Sequence, residues 1–151
     1  KHWEDIKAAE KKSAGGKVTR ESLLDGIPEK IPALYSTYQM SSKAARVGFD
    51  WNSIEQIRDK VVEEFEELQD ALRQGEEKQI KEEVGDLLFA ALNIARYLQI
   101  DPETALNQAN RKFSARFRAM EKHFASQGRA LKEISVEEME AFWQNHKSLD
   151  Q

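Results

Sequence analysis

"VVEEFEELQDALRQGEEKQIKEEVGDLLF", residues Val61–Phe89, decides how this chain is read. It holds ten acidic residues and neither Cys nor His. Apolar positions recur every three or four residues and break once, at Gly75, which predicts two successive helices. Placed on a wheel at about 100° per residue, Val61, Phe65, Leu68 and Leu72 form an apolar stripe on the first helix. Glu64 and Glu67 follow on one shoulder of that stripe, with Lys60 between them in angle, while Glu63 and Glu66 turn outward. On the second helix Ile80, Val84, Leu87, Ala91, Ile94 and Leu98 form the stripe. Glu83 and Asp86 occupy its shoulder with the same hand, and Glu82 points away. Asn93 and Tyr97 continue that flank.

Each helix therefore carries an i, i+3 carboxylate pair beside its apolar face. The short connection at Gly75 predicts antiparallel neighbours, which brings four carboxylates together. Like charges at such range repel unless a proton or a cation intervenes, and Mg²⁺ takes all-oxygen ligands. The competing reading is a pair of solvated, salt-bridged acidic helices. On composition alone that reading is the commoner one.

Outward from this stretch the chain reads as helical from Ala33 onward. A first helix is expected over about Ala33–Val47, ending at Gly48. Ser53-x-x-Gln56 reads as a capping box that opens the helix ending at Gly75. The next helix is expected over about Lys78–Gln99. Asp101-Pro102 is an N-cap followed by Pro at the first helical position, opening a helix to about Ser126. Ser135-x-x-Glu138 reads as a second capping box, for a last helix to about His146. No segment alternates with period two, so no sheet is expected and the fold class is all-α, a helical bundle. Residues 1–30 read as an N-terminal tail or linker: a short charged helix in "KHWEDIKAAEKK", then the breakers Gly15-Gly16, Gly26-Ile27-Pro28 and Pro32. Residues 31–151 are the expected functional domain.

Composition narrows the classes. The 151 residues carry a net charge of −4 with 33% charged and 40% hydrophobic residues, which suits one helix-rich globular domain. A general phosphate-backbone binder is usually basic, so nucleic acid is not an expected partner. Without Cys there are no disulfides or thiolate metal sites, in keeping with a cytoplasmic location. No apolar run is long enough to span a bilayer, so no membrane partner is expected.

"DLLFAALNIARYLQI", from Asp86 to Ile100, is apolar nearly all round. Such a helix must be covered on every side. One short chain has too few helices for that, so a homo-oligomer is expected, a dimer first, with Phe89 and Leu92 at its interface. Gly85 sits mid-helix at a cost of about 1 kcal/mol relative to Ala, which suggests the close approach of another helix.

With these segments in order, the chain resembles the MazG-type nucleotide pyrophosphohydrolases. "EEFEE" at Glu63–Glu67 and "EVGD" at Glu83–Asp86 match that family's EExxE and ExxD elements. "GIPEKIPAL", "VGFDW", "GDLLFAALNIAR" and "ANRKFSARF" resemble it as well, so the likeness runs from about Gly26 to the C-terminus. "KHWEDIKAAEKK" resembles the end of a first module, which makes this chain similar to the C-terminal module of a two-module protein.

The resemblance implies an all-α fold assembled from several protomers. It also implies Mg²⁺-dependent hydrolysis of nucleoside triphosphates to monophosphate and pyrophosphate, with Mn²⁺ a possible substitute. Glu64, Glu67, Glu83 and Asp86 become the metal ligands, the same four that the wheel selects. Glu63 belongs to the motif but turns outward, and its role stays open. Lys112 and Arg116, otherwise a solvated basic face, become phosphate contacts. Lys60, otherwise an i, i+4 ion-pair partner of Glu64, joins them. Trp143, otherwise a core or interface aromatic, closes over the nucleotide. Asn93, otherwise a helix-to-helix hydrogen bond, holds substrate or a ligand carboxylate. Gln79 stands where some relatives have Lys, implying a less basic phosphate site.

Other classes remain to be weighed. A ferritin-like di-iron bundle needs Glu-x-x-His pairs, and His2, His123 and His146 are preceded by none. A non-catalytic acidic oligomerisation module explains the apolar helix but not the matching shoulders. Dimeric dUTPases and phosphoribosyl-ATP pyrophosphohydrolases share the carboxylate core, so base preference is left to a substrate panel.

Overall fold

A computed structural model of the chain describes residues 21–147, so the helix expected over "KHWEDIKAAEKK" lies outside the described residues. Among the described residues the regular structure is entirely helical. Helix α1 spans Ala33–Arg46, α2 Ile54–Gln74, α3 Glu77–Tyr97, α4 Pro102–Ser126 and α5 Val136–Asn145. Two 3-10 turns, Leu23–Gly26 and Leu131–Glu133, complete it.

The helix ends follow local chemistry. Ser53 Oγ accepts from the Gln56 N–H, and Asp101 accepts from the Glu103 N–H ahead of Pro102. Gly75 closes α2 with φ of 73°, a left-handed conformation that a side chain would strain. The two expected capping boxes are each half formed. The Gln56 carboxamide accepts from Asn52 N–H rather than from Ser53. The Glu138 carboxylate is drawn away to Arg129, which it meets at 2.7 and 2.9 Å. That guanidinium holds the Glu138 carboxyl below its ordinary range. A reciprocal box does form inside the expected linker, where Ser22 and Asp25 cap the Leu23–Gly26 turn, and this turn packs on α1.

The chain divides into two compact units at Asn93/Ile94. The C-terminal unit has an apolar core of Met120, Phe124, Ile134 and Phe142, where α4 packs on α5. The N-terminal unit is built differently. Its buried positions along α2 are Ile57, Glu64 and Ala71, and along α3 they are Glu83, Ala90 and Asn93. Phe65, Leu72, Val84, Leu88 and Phe89 are exposed in the single chain.

This corrects the wheel. The stripe of Val61, Phe65, Leu68 and Leu72 is not the buried face of α2, and Val84 and Ala91 are likewise exposed on α3, as is Leu98 just past its end. The wheel seeks the maximum of hydrophobicity, whereas here two carboxylates sit at the centre of the buried faces. At Gly85 a Cβ meets nothing within 4 Å among the described residues of the single chain. Phe89 is exposed and Leu92 half-buried.

Candidate metal centre

Antiparallel folding at Gly75 sets the register of α2 against α3. Glu67 lies eight residues before Gly75 and Glu83 eight after it; Glu64 and Asp86 lie eleven before and eleven after. In a helical hairpin such mirrored positions come opposite one another. Carboxylate oxygens of Glu64, Glu83 and Asp86 accordingly lie within 4.8 Å of each other. Glu67 stands beside them, exposed. Its carboxyl is raised above the ordinary value of 4.5, first by the charge of Glu64 and then by its desolvation and the charge of Glu83.

Glu64 and Glu83 are only 6% and 7% exposed, although each is an acid. One oxygen of each is tied. Lys60 Nζ meets Glu64 Oε1 at 3.0 Å and reaches Glu63 at 3.5 Å. Gln79 Nε2 donates to Glu83 Oε1 at 2.6 Å. The other oxygen, Oε2 in both, is buried without a hydrogen-bond partner among the described residues. A buried carboxylate oxygen left unpaired costs of order 1–3 kcal/mol or more, which a cation would offset. The spacing suits a small one. Oxygens about 2.1 Å from Mg²⁺ in octahedral array stand roughly 3–4 Å apart, slightly closer than this cluster. The donor set, all carboxylate oxygen, fits a hard divalent ion.

The remaining expected residues fall as follows. Glu63 and Glu66 are exposed, as the wheel has them. Asn93 is fully buried on the face of α3 that bears Glu83, and its Nδ2 donates to the Phe89 carbonyl at 3.0 Å. Lys60 makes the i, i+4 pair with Glu64, and the two carboxylates hold its ammonium charged, above the ordinary 10.5. In the C-terminal unit Lys112 is exposed, while Arg116 lies over the Trp143 ring at 5.6 Å and Phe113 packs on it at 5.2 Å. Gln79 was visible in the sequence only as a departure from a pattern. Its contact with Glu83 was legible in the i, i+4 spacing that also joins Lys60 to Glu64.

Comparison with known proteins finds relatives along the whole chain. Residues 52–120 match the family model of the MazG nucleotide pyrophosphohydrolase domain. The whole chain is 39% identical to a "nucleoside triphosphate pyrophosphohydrolase/pyrophosphatase MazG" of Thermotoga maritima, covering 56% of that protein. Over 96% of its length it is 40% identical to a "nucleoside triphosphate pyrophosphohydrolase" of Escherichia coli, covering 54% of it. Over 99% it is 39% identical to the uncharacterized protein YabN of Bacillus subtilis, covering 30% of it. The chain thus spans about half the length of the first two relatives.

Proposed function

This chain belongs to the MazG family of nucleotide pyrophosphohydrolases, and on that premise we propose that it hydrolyses nucleoside triphosphates between the α and β phosphates. The products are a nucleoside monophosphate and pyrophosphate, and the cofactor is Mg²⁺, with Mn²⁺ as substitute. The observation that carries the reading is the convergence of Glu64, Glu83 and Asp86, with two buried oxygens that have no hydrogen-bond partner among the described residues.

Glu64, Glu67, Glu83 and Asp86 are the residues that would hold the metal. A divalent ion held there supplies charge neutralisation for the triphosphate and acidifies water. Every other contribution comes from side chains. Lys112 and Arg116, one turn apart on α4, bind phosphate oxygens, Arg with two donors and Lys as a point charge. Their positive charge stabilises the leaving pyrophosphate as its P–O bond to the α phosphorus breaks. Lys60 adds a third positive charge, already placed among the carboxylates. Trp143 covers the base, with the Arg116 guanidinium on its ring. Asn93, buried and anchored to the Phe89 carbonyl, supports the carboxylate face of α3 or contacts substrate. Water is the nucleophile, so no covalent intermediate is required.

The exposed apolar residues of α2 and α3, Phe65, Leu72, Val84, Leu88 and Phe89, support a homodimer in which a second copy covers them. Residues 31–151 are the catalytic domain in this reading, placed in the cytoplasm. The experiment that tests the function is product analysis by chromatography on each common nucleoside triphosphate with Mg²⁺. Monophosphate with pyrophosphate is expected. Diphosphate with inorganic phosphate, or no turnover with any of them, overturns it.

A further inference from the structure

Two buried carboxylates of the metal centre are held in the same way. Lys60 ties Glu64 and Gln79 ties Glu83, each from four residues earlier on the same helix, each through Oε1, at 3.0 and 2.6 Å. Each contact leaves Oε2 buried and without a hydrogen-bond partner among the described residues. We propose that Lys60 and Gln79 are a matched pair of positioning residues that restrict Glu64 and Glu83 to one coordinating oxygen each, and so select a small octahedral cation against Ca²⁺. The inference rests on the metal reading given above and extends it to the residues that set metal selectivity.

The physical reason lies in the coordination habits of the ions. Ca²⁺ accepts six to eight oxygens at about 2.3–2.6 Å and commonly takes both oxygens of one carboxylate. Mg²⁺ requires near-ideal octahedral geometry at about 2.0–2.1 Å and takes one oxygen per carboxylate. A donor fixed on Oε1 competes with chelation through that oxygen and leaves Oε2 free, so bidentate binding must first break a short hydrogen bond. The same donor fixes the carboxylate rotamer before the ion arrives, which lowers the ordering cost of binding. The two holds differ in charge. Lys60 cancels part of the negative field at Glu64, whereas the neutral Gln79 amide orients Glu83 and leaves its full charge for the cation.

The test is made on the whole chain without nucleotide, so that phosphate binding by Lys60 plays no part. Mn²⁺ affinity is read by electron paramagnetic resonance, and Ca²⁺ affinity by its competition with Mn²⁺. Gln79→Met keeps the side-chain length and removes the donor. It should weaken Mn²⁺ binding by about 10–100-fold, the usual loss on removing a residue that orients a metal ligand. Ca²⁺ binding should fall less, so the preference for Mn²⁺ narrows. Gln79→Lys restores a donor at the spacing where Lys60 already reaches Glu64, and should recover the preference. Lys60→Met should narrow it as Gln79→Met does, and it carries the same test should Gln79→Met not fold in urea titrations. An unchanged Mn²⁺/Ca²⁺ ratio in the Met variants overturns the inference, as does a Lys variant that behaves like Met. A wild-type chain that binds no Mn²⁺ instead removes the metal reading itself, and this inference with it.

Discussion

The Arg116 guanidinium lies over the Trp143 ring, its carbon 5.6 Å from the centroid, so a residue of α4 and one of α5 share a single surface. Arg116→Ala is expected to lower kcat and kcat/KM for triphosphate hydrolysis while leaving nucleotide-free Mg²⁺ binding nearly intact. Charge on the leaving group grows in the transition state, so part of the loss falls on kcat. Trp143→Ala should raise KM more than it lowers kcat, because stacking on a base acts alike in ground and transition states. Their contact makes the pair non-additive: the double variant should lose less than the two single losses combined. Steady-state kinetics decide it. An Arg116→Ala protein with wild-type kcat/KM on every nucleotide returns α4 to a solvated basic face.

Glu64→Gln and Asp86→Asn should each abolish turnover and weaken divalent-metal binding in calorimetry by at least about tenfold. Glu66→Gln, on the exposed side of the same helix, should change neither by more than a small factor. Equal loss in all three variants would sink the ligand assignment.

Acid should stabilise the metal-free protein locally before it unfolds it. Glu67 has its carboxyl raised above 4.5 by the neighbouring charges of Glu64 and Glu83. The folded chain therefore binds this proton more tightly than the unfolded chain does, and stability falls as pH rises from about 4.5 through the raised folded value. Urea titrations in a chelator across that window should show this slope in the wild type and a flatter one in Glu67→Gln. Mg²⁺ should bind more weakly at the acid end, where the proton competes with it. A slope that Glu67→Gln leaves unaltered overturns the account.

Phe89→Glu should move the protein toward monomer or aggregate in sedimentation velocity, since Phe89 is 43% exposed in the single chain and the proposed dimer covers it. A wild-type chain that is already monomeric at micromolar concentration refutes the dimer.

The helices were legible in the sequence because caps and breakers are local. Asp101-Pro102 and Gly75 mark their helix ends in the fold as they do in the string. The proximity of Glu64, Glu83 and Asp86 was legible for a related reason, a fixed i, i+3 spacing on successive helices. Their burial was not. A wheel ranks positions by side-chain hydrophobicity, and it placed Phe65 inside and Glu64 at the rim, whereas the structure has Phe65 half exposed and Glu64 buried. Only the approach of α3 decides that. The reach of Glu138 to Arg129, nine residues away, was hidden by a nearer cap motif that competes for the same carboxylate.

The mirrored placement of Glu67 and Glu83, and of Glu64 and Asp86, about Gly75 makes chain length between the two helices a quantity under constraint. One residue inserted or deleted within a helix, between Glu67 and Gln74 or between Glu77 and Glu83, turns everything beyond it by about 100° on its helix, and the opposed carboxylates part company. Substitutions over the same span, at Gln69, Arg73 or Lys78, leave the register alone. Descendants of this sequence are therefore free to rewrite exposed letters such as Gln69, Arg73 and Lys78 but not to count differently across the hairpin, and a gap placed there separates working copies from broken ones more sharply than any exchange at those surface positions.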